Sequence, residues 1–465
     1  MNQKTRKIEL LGSTPVPKAL LALGLPTMVG MLINALYNLV DAYFVGGLGT
    51  NQMGAITVAY PLGQIVVGLG LLFGNGAAAY LSRLLGRGDK KTANKVASTA
   101  LYSSVITGAI VILCSVIFLK PILRQLGALE EMMPYAVSYT SIYIIFSIFN
   151  VFNVTMNNIV SSEGAAKTAM CALLAGAVLN VILDPVFIYT LNMGITGAAI
   201  ATAASQAVST CVYLIYIFRK NSIFNFSIKE YSCTKDVMPE ILKIGIPTLI
   251  FQLLTSLSIS MINGAVNNYG SSALAAMGPV TKILSMGTLV VFGFLKGFQP
   301  IAGYSYGAKN FDRLNQAIKT SIVWSTVFCL IFGLTVALFS GGIMSAFTKD
   351  DLQMVEIGKT ALRANGVSFI FFGFYTVYSF LFLVMGKAGE GFFLGSCRQG
   401  ICFIPVILLL PQLLGLNGIL FAQPVADVLS AVITLFMAIH LHRQLKAEQA
   451  NVLPAKSPLA ESGQD

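Results

Sequence analysis

Apolar runs of about 20 residues follow one another along this chain, and a run of that length can cross a bilayer as a helix. Twelve can be counted, near residues 20–45, 55–80, 97–119, 134–160, 168–190, 196–218, 243–267, 277–302, 320–346, 356–385, 396–415 and 418–441. They are continuous rather than alternating with a period of two, so they predict helices and not the strands of a membrane barrel. A longer period lies over this pattern. Residues 24–94 recur at 245–315 without a gap, at a constant offset of 221. Gly24-Leu25-Pro26-Thr27 returns as Gly245-Ile246-Pro247-Thr248, Gly86 as Gly307, and Gly194 and Gly197 as Gly415 and Gly418. Each copy holds an even number of runs, so both copies enter the membrane from the same side. The expectation is an all-α membrane protein with twelve transmembrane helices in two parallel six-helix lobes, related by a pseudo-two-fold along the membrane normal, with the substrate cavity between them. The predicted divisions are an N-terminal lobe over 1–218, a solvated cytoplasmic linker over 219–243, a C-terminal lobe over 244–442 and a polar, disordered cytoplasmic tail over 443–465.

Composition sharpens this picture. Only 11% of the 465 residues are charged, against roughly 25% in soluble domains. The net charge of +11 is explained by where the basic residues fall. With the N-terminus placed in the cytoplasm, 23 Lys and Arg lie on that side and 5 on the other, while Lys282 and Lys296 fall inside span 8. That asymmetry predicts a multi-pass plasma-membrane protein with both termini cytoplasmic, and it removes nucleic acid as a partner. No GxxxxGK[ST] loop is present, so ATP is not the expected driver. The seven scattered cysteines form no CxxC, which argues against a disulfide framework or a zinc site.

Ionisable residues at membrane depth are costly and mark function. The first copy carries two, Asp41 in span 1 and Asp184 in span 5. Asp41 ends a stripe with Asn34 and Asn38, Asn180 shares a helix face with Asp184, and Thr202 shares one with Gln206. Span 4 adds Asn153 and Asn157. Such oxygen-rich, sulfur-free donors suit a proton relay or a hard cation such as Na⁺. The second copy has Ile262 at the repeat of Asp41 and Pro405 at that of Asp184. Its polar residues include Gln252, and its one acid in a span is Asp427, readable as a site for a cationic substrate or as a satisfied interhelical acid. Lys296, close to the cytoplasmic end of span 8, is expected to snorkel, with a substrate-facing or gating role as the alternative.

Two motifs go further. Gly24-Leu25-Pro26-Thr27 with Leu39-Val40-Asp41-Ala42-Tyr43-Phe44-Val45-Gly46, and Gln299-Pro300-Ile301-Ala302-Gly303-Tyr304-Ser305-Tyr306-Gly307-Ala308, resemble the multidrug and toxic compound extrusion (MATE) family. The resemblance covers residues 10–442 and is to the prokaryotic multidrug-exporter branch. It implies a secondary antiporter, not an enzyme, that exports amphipathic, often cationic organic compounds or drugs by alternating access. The coupling ion would be H⁺ or Na⁺, held at Asp41, Asn180, Asp184 and Thr202, with no further cofactor. Small organic molecules and the bilayer would be its partners, and it would work as a monomer. Another branch has acids in spans 7 and 10; this chain has none there, so a second cation site in the C-terminal lobe is not expected. The alternatives are a lipid-linked oligosaccharide flippase of the same superfamily, which would need a strongly cationic cavity, and a major-facilitator-type transporter, for which the basic loop Arg83–Lys91 is the faint argument. A channel or scaffold is disfavoured by the intramembrane acids.

Overall fold

The duplication persists down to caps and turns. The computed structural model describes residues 3–452 except 127, 129, 235 and 348–350, and leaves out the side chains at 3, 39, 42, 46, 50, 51, 53, 57, 271, 451 and 452. Lys235, Lys349 and Lys456 of the charge count, and residues 453–465 of the expected tail, lie outside the described residues. Among the described residues there is no strand. Hydrocarbon offers no partner for a backbone N–H or C=O, so each span satisfies its own as a helix. The twelve spans are Val16–Val45, Gly54–Arg87, Lys90–Ile117, Met133–Ser162, Ala166–Thr190 and Gly194–Phe218, then Met238–Asn267, Ser272–Gly307, Phe311–Leu338, Leu352–Val384, Ala388–Leu414 and Leu416–Ala450.

Asp89 caps span 3 by accepting from Thr92 N at 3.0 Å, and Asn310, 221 residues later, caps span 9 by accepting from Arg313 N at 3.0 Å. Spans 3 and 9 break at Phe118 and Phe339, again 221 apart, and short helices Leu119–Gln125 and Ser340–Phe347 follow. Span 9 therefore ends at Leu338, earlier than its apolar run predicts.

The two lobes meet through spans 1 and 8, 2 and 7, and 2 and 8. The repeated Gly-x-Pro-Thr motif explains how. A Cβ on Gly297 of span 8 would lie 2.4 Å from Gly24 N of span 1, and one on Gly76 of span 2 would lie 2.2 Å from Ile241 O and 3.2 Å from Gly245 N of span 7. The second contact is the first with the lobes exchanged, since 76 and 297, and 24 and 245, are both 221 apart. Only glycine lets the helices approach this closely. The motif threonines then tie the lobes: Thr27 Oγ1 donates to Gly293 O at 2.5 Å, and Asn75 Nδ2 donates to Thr248 Oγ1 at 3.0 Å. Pro26 and Pro247 sit inside spans 1 and 7, where each removes a backbone donor and weakens the helix.

These crossings lie in the halves of the spans nearest the face that carries the linker and the ends of spans 2, 8 and 12. Arg83 closes that face, its Nη2 3.3 Å from Glu240 Oε2 and its Nη1 3.4 Å from Met385 O. Toward the opposite face, glycines of these helices meet their own lobe: Gly47 meets Tyr189, Gly63 meets Tyr143, Gly287 meets Phe332. The lobes part in that direction.

One helix was not expected, and two expectations are corrected. Helix Gln3–Gly12, in a stretch too polar to span, lies across the closed face. The linker is not loosely solvated: Phe224 and Phe226 are buried, and Ser98 Oγ and Tyr102 OH of span 3 donate to Asn225 O and Phe226 O at 2.9 Å each. The tail expected from 443 is helical to Val452, because Leu445 continues the buried stripe of Ala438 and Leu441.

Candidate cation site in the first lobe

Spans 1 and 5 run side by side and bring Asp41 to Asp184, with the two carboxyl groups within hydrogen-bonding reach of each other. Asp184 is fully buried. One turn earlier on span 5, Asn180 donates its Nδ2 to Asp184 Oδ1 at 3.2 Å. Pro185 follows, and span 5 continues as a wider π turn over Val186–Thr190. Tyr189 at its end donates to Phe44 O at 2.6 Å and so fixes span 5 to span 1 just beyond the acids.

Next to the pair is a cavity of about 30 Å³, lined among others by Asn34, Tyr37, Asn153, Asn180, Thr202 and Gln206. It has room for one water or one small ion. Asp41 Oδ1, Asp184 Oδ2 and Asn180 Oδ1 have no hydrogen-bond partner. Two adjacent carboxyl groups with free oxygens in a membrane interior repel as a charged pair, and they are stabilised by a proton or a small cation between them. Every salt bridge among the described residues lies elsewhere in the chain.

The other predicted residues fall into two groups. Asn34 accepts from Asn38 Nδ2 at 3.0 Å, and Asn153 donates to Gln206 Oε1 at 2.9 Å while accepting from Thr210 Oγ1 at 2.9 Å. These belong to the first-lobe site or its supports. Asn157, Lys296, Gln252 and Asp427 do not. Lys296 does not snorkel: its ammonium reaches across to the first lobe and donates to Asn157 Oδ1 at 3.4 Å, while Asn157 Nδ2 donates to Tyr213 OH at 3.1 Å. Gln252 is half-buried on span 7 and does not line the cavity. Asp427 is a satisfied interhelical acid, bonded to Arg398 Nε at 2.8 Å. Arg398 lies within span 11, which starts at Ala388.

Sequence reasoning missed the aromatic surround. Tyr37, Tyr139 and Tyr143 all lie close to Asp41, and Tyr139 stacks on Tyr143 at 5.8 Å. Tyr37 is one turn before Asp41 on the Asn34 face, so helical spacing pointed to it. It also missed Glu163, fully buried at the closed face, which accepts from Ser222 Oγ at 2.9 Å, from Ile223 N at 2.5 Å and from Tyr216 OH.

The sequence profile of the MatE family matches residues 26–186 and 247–409, one match in each lobe. The chain belongs to the MatE family. The multidrug export protein MepA of Staphylococcus haemolyticus is 30% identical over 444 residues, covering 94% of this chain and 96% of that protein. MepA of Staphylococcus aureus is 28% identical over 457 residues, covering 97% and 99%. A solved structure described as the outward-facing conformation of a multidrug resistance MATE family transporter superposes with a TM-score of 0.90 at 26% identity, over 95% of this chain and 99% of that one. A transporter of the MOP superfamily from Pyrococcus furiosus, for which a binding pocket of reversed polarity is described, gives 0.89 at 26% identity over the same shares. Membership of the MatE family sets aside the major-facilitator alternative, and the twelve spans make this a multi-pass membrane protein.

Proposed function

We propose that this MatE protein is a secondary antiporter that exports amphipathic, often cationic organic compounds in exchange for H⁺ or Na⁺. The observation that carries the reading is Asp184, fully buried beside Asp41 with a free oxygen, and bonded to Asn180, which lines a cavity of ion size. Asp41, Asn180, Asp184 and Thr202 hold the ion; Tyr37 and the Asn34–Asn38 pair wall it in. The relatives named for multidrug export support the substrate class. The positive-inside asymmetry supports a cytoplasmic placing of the closed face and of both termini, so the lobes part toward the outside. An ion can drive the cycle only by binding one access state better than the other. Here its ligands come from spans 1, 5 and 6, and span 1 is also a main inter-lobe contact. Movement of span 1 on ion binding would therefore change the lobe interface directly. The divisions at 218, 244 and 442, and action as a monomer, belong to the same proposal. A flippase of charged lipid-linked sugars is less well supported, since Arg83 and Lys296 are both bonded across the lobe interface rather than free in a cavity.

Dye efflux from proteoliposomes under a pH gradient or a Na⁺ gradient, imposed separately, tests this. Efflux driven by at least one gradient and lost in Asp41→Asn and Asp184→Asn is the expected result. Full gradient-driven efflux in both variants would overturn it.

A further inference from the structure

The second lobe contains a counterpart of the first-lobe cavity, and that counterpart is filled. Arg398 lies in the π turn Cys397–Ile401 of span 11. Its Nε donates to Asp427 Oδ1 at 2.8 Å, Gln423 Nε2 donates to the same oxygen at 2.9 Å, and Ser368 Oγ donates to Oδ2 at 3.0 Å. The guanidinium lies over the Phe372 ring, 4.6 Å from its centroid. The side chains of Arg398 and Asp427 are 13% and 3% exposed.

The repeat gives this cluster its meaning. At the offset of 221, Asp427, Gln423 and Arg398 correspond to Gln206, Thr202 and Ala177. All three of those first-lobe residues line the ion-sized cavity. Where the first lobe has an alanine methyl beside a hole, the second has a guanidinium bonded to a carboxylate. The first lobe keeps free oxygens on Asp41, Asp184 and Asn180, whereas both carboxylate oxygens of Asp427 are bonded. A guanidinium carries its charge at every physiological pH and, unlike a dissolved ion, cannot leave.

We propose that Arg398 is a tethered cation occupying the second lobe's version of the cation site, and that Asp427, Gln423 and Ser368 form a monovalent-cation site which Arg398 blocks. Arg398 is thus the residue that confines ion exchange to the first lobe. The donors it covers are a carboxylate, an amide and a hydroxyl, oxygen ligands of the class that hard cations such as Na⁺ take. The reading of the blocked site as a cation site rests on the first-lobe proposal, so the test is made where the first lobe cannot contribute.

The experiment measures radioactive Na⁺ bound to purified, monodisperse full-length protein carrying Asp41→Asn and Asp184→Asn. In that parent, Arg398→Met is expected to add a single bound Na⁺, Arg398→Lys to add none, and Asp427→Asn to remove what Arg398→Met gained. Arg398→Gln, which keeps hydrogen-bonding capacity, is the second unblocking variant should the methionine variant fail to fold, and is expected to show the same gain. No added Na⁺ in a folded Arg398→Met or Arg398→Gln protein would overturn the inference. So would a gain that survives Asp427→Asn. Failure of the wild-type first lobe to bind Na⁺ would count against that lobe's reading alone, because the parent used here already lacks its acids.

Discussion

Gly86 and Gly307 face each other's helices across the crossing of spans 2 and 8, and each is the repeat of the other. A Cβ on Gly86 would lie 2.1 Å from Tyr304 O, and a Cβ on Gly307 would lie 2.1 Å from Arg83 O. Contacts that exchange partners under an offset of 221 place the pseudo-two-fold axis through this crossing. The closed face is therefore sealed by backbone against backbone, at a place where neither lobe has a side chain to yield.

A larger residue there should act as a wedge. Gly86→Leu or Gly307→Leu forces the crossing apart at a cost of about 1–3 kcal/mol, the usual range for overpacking. Gradient-driven efflux should fall sharply in both, with the protein still in the membrane, and introduced cysteines at the closed face should label faster. The two variants should behave alike, since the axis makes their environments equivalent. A wild-type labelling rate in both would show that the crossing is not the seal.

The cap pair offers a control with a built-in titration difference. Asp89 and Asn310 are equivalent caps at the closed face, outside the spans. Replacement of either by Ala should cost about 0.5–2 kcal/mol of thermal stability in detergent, as for other N-caps. The hydrogen bonds that Asp89 accepts at Thr92 hold its carboxyl below the usual range. A folded-state value below the unfolded one means that the contribution is present above about pH 4 and is lost as the pH falls through the folded value. Asn310 does not titrate. The deficit of Asp89→Ala should therefore shrink on acidification below about pH 4, while that of Asn310→Ala stays constant. Parallel pH dependence in the two variants would sink this account of Asp89.

The spans, the duplication and the acid pair were legible because each depends on a local rule: apolar length, a fixed offset, the cost of charge in hydrocarbon. Arg398 was not legible for the same reason. Arg398 falls within the predicted span 11, but its role stays hidden until the structure shows that Asp427 on span 12 is bonded to it. A buried ion pair between two different helices leaves no periodic trace. Lys296 shows the same limit, since its partner Asn157 lies in the other lobe. Helix Gln3–Gly12 escaped because its charges, which argue against a span, serve a surface role.

That surface role has its own consequence. Lys7 of the helix donates to Tyr216 OH and lies 3.5 Å from Glu163 Oε1, both in the first lobe, and donates to Asn221 O of the linker at 2.7 Å. From the second lobe, Arg313 donates to Leu11 O at 2.9 Å, Thr14 O at 2.6 Å and Leu10 O at 3.4 Å. The helix is a strap joined to both lobes over the closed face. Hydrogen bonds to a charged group contribute about 1.5–3 kcal/mol, so Arg313→Ala should shift the lobes toward opening on this face by roughly an order of magnitude. Spin labels at Lys95 and Lys319, one on each lobe, would report a longer-distance population. An unchanged distance distribution would mean that the strap rides on the lobes without holding them.

Competition between ions is the sharpest test of the first-lobe site. Asp41 and Asp184 lie beside Asn180, and their free oxygens can be neutralised by a proton or by Na⁺, but a proton on the carboxyl pair takes a ligand from Na⁺. Linkage then sets the direction: if Na⁺ binding displaces one proton, Na⁺ affinity should fall as the pH is lowered, by up to about tenfold per pH unit. Conversely, Na⁺ should release protons from purified protein in unbuffered solution. Asp41→Asn removes one of the two charges, so it should weaken Na⁺ binding and reduce the pH dependence together; the double variant with Asp184→Asn should abolish both. Na⁺ binding measured against pH in the three proteins decides the matter. Affinity that is flat with pH in the wild type, or that persists in the double variant, would place the ion at other oxygens than these.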